Sequence, residues 1–196
     1  MVKSLLLKRE QNISLSPAED TQYIYLVGGN SAEVTNLELN FEKEGVTCEI
    51  IVLGKMKEGH SVDLTTTSRH LVPNTSCVTN YYVALEDSSS SNYVGKIIIA
   101  KKAFQTNSYL NNRTLVIGEG TKNTTRPILE IEADDVKASH GATTGRVRDD
   151  DVYYLTSRGL SVKEAEEIIV EGFFESVVAK IEAEDVREKV RAGVKS

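Results

Sequence analysis

The chain has 196 residues, a formal net charge of −6 at pH 7, 40% hydrophobic residues and 27% charged ones. This composition describes a soluble globular protein with a sizeable core, not a disordered chain. The acidic balance excludes a nucleic-acid partner gripped through its phosphates and an anionic membrane surface. Tryptophan is absent and aromatics make up only 6%, so the core must rest on Ile, Val and Leu, which favour strands.

The first residues, MVKSLLLKRE, contain a run of three leucines that Lys8 and Arg9 break at once. That run is too short for the apolar region of a signal peptide, and no later stretch approaches a membrane span. A reducing compartment, the cytoplasm, is the expected location. Short β-branched runs follow: Tyr23–Val27, Val34–Phe41, Val46–Leu53, Val62–Thr67, Val78–Leu85, Val94–Ala100, Thr114–Ile117 and Ile128–Glu132. Gly, Asn and Ser clusters separate them: GGNS, GKMKEGH, EDSSSSN and NSYLNNR. Alternation in runs such as Leu37, Leu39, Phe41 predicts strands with one buried face and one wet face. Many short strands with turn signals fit a sandwich or jelly roll, and equally a β-helix whose coils stack on one another. No clean internal period separates these two by pattern alone.

Near Arg148 the period becomes helical. Asp149, Asp150 and Asp151 fall in the first turn of a short helix, where negative charge complements exposed N–H groups. Gly159 stands where a left-handed cap belongs. Ser161 and Glu164 form a capping-box pair. Behind them Ala165, Ile168, Ile169, Phe173, Val177 and Ile181 recur at helical steps, predicting an amphipathic helix. A last helix over about 185–194 offers only Val186 and Val190 to a neighbour. The helical unit is too small for its own core, so its stripe must dock on the β-body or on another protein.

Few residues could carry chemistry. His140, between Ser139 and Gly141, has small neighbours that leave its ring unshielded, and a carboxylate such as Asp134 or Asp135 could orient one ring nitrogen and free the other for a metal. A hydrogen-bonded structural histidine is the plainer reading of the residues alone. His60 reads as a loop residue and His70 as the end of a strand before the Pro73–Asn74 turn. Their spacing with His140 predicts no shared metal site. Cys48 and Cys77, the two cysteines of the chain, form neither a disulfide framework nor a metal-ligand pair; both read as small core residues. Asp134–Asp135 reads as an acidic turn, and Ser88–Ser91 and Gly118–Glu119–Gly120 as turns without a phosphate-binding pattern.

The segment from Pro127 to Leu160, PILEIEADDVKASHGATTGRVRDDDVYYLTSRGL, is the most specific stretch. With weaker support from Asp63, Thr66, His70, Pro73, Asn74, Thr75 and Ser76, from Tyr93–Ile97 and from Phe173–Phe174, it resembles the SufB/SufD family of iron–sulphur cluster assembly scaffolds. The likeness is closer to the SufD type and covers roughly the last two-thirds of the chain. It implies a mainly β fold, a right-handed parallel β-helix over residues 1–145, followed by a small C-terminal helical domain over 146–196. It implies a non-enzymatic role. An ABC-type ATPase, SufC, would dock through Tyr153, Tyr154, Leu155, Arg158, Ala165, Ile168 and Ile169. A second SufB/SufD-type subunit, or a second copy in a homodimer, would pair with the β-helix end at Ile128, Leu129, Glu130 and Ile131. His140 maps onto the histidine that is the candidate ligand at that interface.

The resemblance also has gaps. Ile131 stands where the SufB type has a cysteine, and Ala138 where SufD types often have one. Thiolates hold iron–sulphur clusters, so the expectation is no cofactor held tightly by this chain alone and a transient cluster at a subunit interface. Against the family's usual length, the expectation is a minimal version. The competing reading is a carbohydrate-acting or carbohydrate-binding β-helix protein, which needs placed acid–base groups.

Overall fold

The computed structural model describes residues 2–28 and 33–194. The described residues form eleven strands and then three helices: β1 (Lys3–Leu6), β2 (Asn12–Leu15), β3 (Thr21–Leu26), β4 (Glu33–Phe41), β5 (Thr47–Met56), β6 (Ser61–His70), β7 (Ser76–Leu85), β8 (Ser90–Ile99), β9 (Thr106–Val116), β10 (Lys122–Ile131), β11 (Val136–Arg146), α1 (Asp149–Thr156), α2 (Val162–Val178) and α3 (Glu184–Gly193). Odd strands build one sheet in the order β1-β3-β5-β7-β9-β11, and even strands build the other in the order β10-β8-β6-β4-β2. Every pairing is parallel. The chain therefore winds from one sheet to the other and back, as a parallel β-helix. A sandwich of antiparallel strands is ruled out.

Two kinds of corner turn the chain. Gly45, Asn74 and Gln105 take positive φ two residues before the mutually paired Thr47, Ser76 and Asn107. Gly59, Ser88 and Gly120 do the same two residues before Ser61, Ser90 and Lys122. Each corner thus reuses one left-handed residue per coil, a conformation natural to Gly and tolerated by Asn.

The interior of the β-helix is filled by alternate side chains, including Tyr25, Leu39, Phe41, Ile50, Val52, Tyr81, Tyr93 and Ile97. Within one coil Tyr81 stacks on Tyr93 across the lumen, with centroids 4.0 Å apart, and between successive coils Phe41 stacks on its register partner His70 at 4.5 Å. On the outside, Glu49 accepts from Asn80, and Asn80 accepts from Asn111, at 2.7 and 3.0 Å. A second core lies between the outer face of the odd-strand sheet and the helices. There Ile24, Ile51, Leu53 and Tyr82 meet Val170, Phe174, Val177, Val178, Ile181, Val186 and Val190. Strand β5 is therefore buried on both faces, which explains its unbroken apolar run. The helical stripe docks on the β-body.

Three expectations need correction. Three strands escaped the sequence reading: β1, β2 and β11. The NSYLNNR segment lies inside β9 and Gly54–Met56 inside β5, while Ser90 and Ser91 open β8; turn-like residues here form outward ladders or face the lumen. The buried side of α2 is Ala165, Val170, Phe174, Val177 and Val178, while Ile168 is exposed and Ile169 and Phe173 are half-buried. The GGNS turn falls partly on 29–31, outside the described residues. The capping box is present, with Glu164 N–H donating to Ser161 Oγ and Ser161 N–H to Glu164 Oε2 at 2.8 Å. Arg191 of α3 reaches Glu175 of α2 at 2.6 and 3.0 Å, tying the two helices together.

Candidate functional site

The last coil is where the β-helix ends. Strand β10 pairs only with β8, and β11 only with β9. Each therefore presents a free edge of backbone N–H and C=O groups, which proteins normally cover. Alternation decides where the side chains go. Val136 and Ala138 pack against the interior core, so His140, two residues on, belongs to the same inner row. Its register partner is Leu110. With no further coil above it, His140 is exposed. Gly141 points to the other face. A Cβ there would lie 2.8 Å from the Tyr109 hydroxyl, so the glycine after His140 leaves room for the neighbouring tyrosine. Thus the Ser-His-Gly triplet folds into an edge strand that carries an open imidazole on its inner side.

The proposed pairing residues of β10 split the same way. Leu129 and Ile131 continue the inner row of Ile97 and Ile99, and Ile128 and Glu130 point outward. Ile131 is 42% exposed, as an inner residue without cover must be. Sequence reasoning missed β11 as the second edge. The signal was present in the two-residue spacing of Val136, Ala138, His140 and Ala142.

The other histidines are placed apart from the end. His70 is fully buried, with Nδ1 2.8 Å from Thr75 Oγ1 and Nε2 3.3 Å from Ser108 Oγ. Burial alone lowers its pKa to about 4. His60 precedes β6 and is half-buried. Cys48 and Cys77 are paired in register on β5 and β7 and are buried free thiols. Burial pushes the Cys48 thiol up to about 11 and that of Cys77 higher still, which disfavours the thiolate that binds metals. Among the described residues no group of three or more His, Cys, Asp or Glu could hold a metal ion. Among the described residues the end coil offers the imidazole of His140 without such a group around it.

A second exposed surface lies on the helices. Tyr153 and Tyr154 are 75% and 55% exposed, Val162 57% and Ile168 46%. The Arg158 guanidinium sits over the Tyr154 ring, 4.4 Å from its centroid. Leu155 and Ile169 are half-buried beside them, whereas Ala165 is fully buried and cannot touch a partner. Large aromatic and aliphatic side chains left in water are the type that proteins commonly use in contacts.

The described residues thus form a parallel β-helix with an uncovered end coil, an exposed imidazole at that end and exposed apolar side chains on the helices. The model of the SufBD core domain, of the SUF system for FeS cluster assembly, matches residues 11–173, and the chain belongs to this family. It is 34% identical over 110 residues to the iron-sulfur cluster assembly protein SufD of Escherichia coli, covering 56% of this chain and 26% of that protein. An iron-sulfur cluster assembly SufBD family protein of Mycobacterium leprae is 30% identical over 86% of this chain and 45% of its own length. The SufD of Bacillus subtilis is 33% identical over 76% of this chain and 30% of its own. The chain thus spans about a quarter to a half of the length of these relatives. No helix among the described residues is long and apolar enough to cross a membrane.

Proposed function

We propose that this chain is a non-enzymatic scaffold subunit of iron–sulphur cluster assembly in the cytoplasm. It pairs through its last coil with a second SufB/SufD-type subunit or a second copy of itself. It engages a SufC-type ABC ATPase through the α1–α2 surface. The cluster is cargo, held transiently between subunits, and His140 supplies one ligand. The observation that carries this reading is the uncovered end coil with His140 exposed on its inner row, in a chain of the SufBD core family. A neutral imidazole binds iron, and a partner adding a strand to β10 or β11 would cover the free edge. The outward ladder of Glu49, Asn80 and Asn111 holds its carboxylate to an amide rather than to a second acid or base, which gives the carbohydrate reading no support.

The ATPase contact is tested by capture of a SufC-type ATPase on the immobilised chain. Removing the helices altogether would strip the cover from Ile24, Ile51, Leu53 and Tyr82, so point variants are the sound choice. Tyr153→Ala with Tyr154→Ala should cut capture at least tenfold with unchanged thermal unfolding. Undiminished capture would place the docking surface elsewhere.

A further inference from the structure

The interior of the last coil departs from the coil beneath it. In that lower coil Tyr81 and Tyr93 stack across the lumen, and their hydroxyls are paired with Ser91 Oγ at 2.8 Å and Thr66 Oγ1 at 2.6 Å. One register step further, Asn112 stands above Tyr81, Thr125 above Tyr93 and Asn123 above Ser91. Two large rings are thus followed by two short polar side chains. The next strand brings only Ala142 above Asn112 and Thr144 above Thr114.

Asn112 and Thr114 are buried and Asn123 and Thr125 half-buried, yet polar atoms of all four are out of solvent and unmatched. Asn112 is 1% exposed and Thr114 3% exposed. Asn112 Nδ2 and Oδ1, Thr114 Oγ1, Asn123 Oδ1 and Thr125 Oγ1 have no partner among protein atoms. Asn123 Nδ2 alone is satisfied, donating to Thr144 Oγ1 at 2.8 Å. Flipping the Asn112 amide changes nothing, since neither of its polar atoms is paired. Buried polar groups in folded proteins are almost always satisfied, by protein or by ordered water. Five such atoms face one lumen where two tyrosine rings have given way to smaller groups, and the protein supplies none of the five with a partner.

The chemistry selects the occupant. The site offers an amide donor, two amide acceptors and two hydroxyls that can do either, with no ionised side chain among the four residues. It has nothing to neutralise an ion and a mixture of donors and acceptors that suits water. We infer that the last coil encloses an ordered water cluster held by Asn112, Thr114, Asn123 and Thr125. The chamber lies under β11, whose inner row also carries His140, so its waters sit just inside the open end of the β-helix.

A high-resolution crystal structure of the chain tests this directly. The expected density shows ordered waters within hydrogen-bond distance of the Asn112 amide and the Thr125 hydroxyl. A dry site, with the Asn112 amide bonded to Thr114 or Thr125 instead, would overturn the inference. A paired variant checks the volume independently. Asn112→Tyr with Thr125→Tyr repeats the stacked pair of the coil beneath and should expel the waters, leaving the unfolding temperature unchanged or raised by a few degrees. A fall of more than about 5 °C, or failure to fold, would mean that the space is already filled by protein and would count against the chamber.

Discussion

His70 shows how one side chain is set by the coils around it. It lies flat on Phe41, spans Thr75 and Ser108 with its two nitrogens, and is sealed from water. No charged group lies among these partners, so desolvation leaves the ring neutral down to a pKa of about 4. An unfolded histidine titrates near 6.5. Between these two values the unfolded chain binds a proton that the folded chain refuses. Stability is therefore complete above pH 6.5 and declines as pH falls toward 4, by roughly 3 kcal/mol from this residue. Urea unfolding at pH 7 and pH 4.5 should show that loss in the native protein and a much smaller one in His70→Gln. An equal loss in both would remove His70 from the acid sensitivity. At this scale the sequence marked His70 as a strand end before a turn, which it is. The partner Ser108 lies 38 residues away on another coil, and no local pattern announces such a contact.

At the scale of elements, the repeat was hidden by its own irregularity. Paired residues Lys3 and Thr21, Cys48 and Cys77, and Ser90 and Lys122 are 18, 29 and 32 residues apart, so no single period runs through the chain. The corner residue is Gly at positions 45, 59 and 120 but Asn74, Ser88 and Gln105 elsewhere. Gln105 at φ 55° is the least suited to that conformation. Relief of left-handed strain outweighs the extra chain entropy of glycine, so Gln105→Gly should stabilise the protein by up to about 1 kcal/mol. Chemical denaturation measures this, and a destabilised variant would contradict the corner assignment. The helices were more legible, because capping and periodicity are local. Even so, the buried side of α2 was misread by one position at several points. Its Ile-Ile-Val and Phe-Phe pairs offer two adjacent apolar faces, and only the surface of the odd-strand sheet chooses between them.

For the whole molecule, the strand-rich pattern left sandwich and β-helix level, and the likeness of residues 127–160 to a known family separated them. Parallel pairing joins residues about 30 positions apart, beyond the reach of any hairpin signal. The end coil is the feature on which the proposed function rests. Its two free strand edges, its half-covered inner row and its exposed His140 all lie at one end, while the tyrosines of α1 lie on the helices. The central claim is that His140 binds cluster iron where this end meets another subunit. The most direct test is anaerobic reconstitution with ferrous iron and sulphide, with a SufB-type subunit present, followed by assay of protein-bound iron and sulphide in the native complex and in one carrying His140→Ala. The account predicts a several-fold loss of both in the variant, with the subunits still associated by sedimentation. Equal iron and sulphide in the two complexes would contradict it.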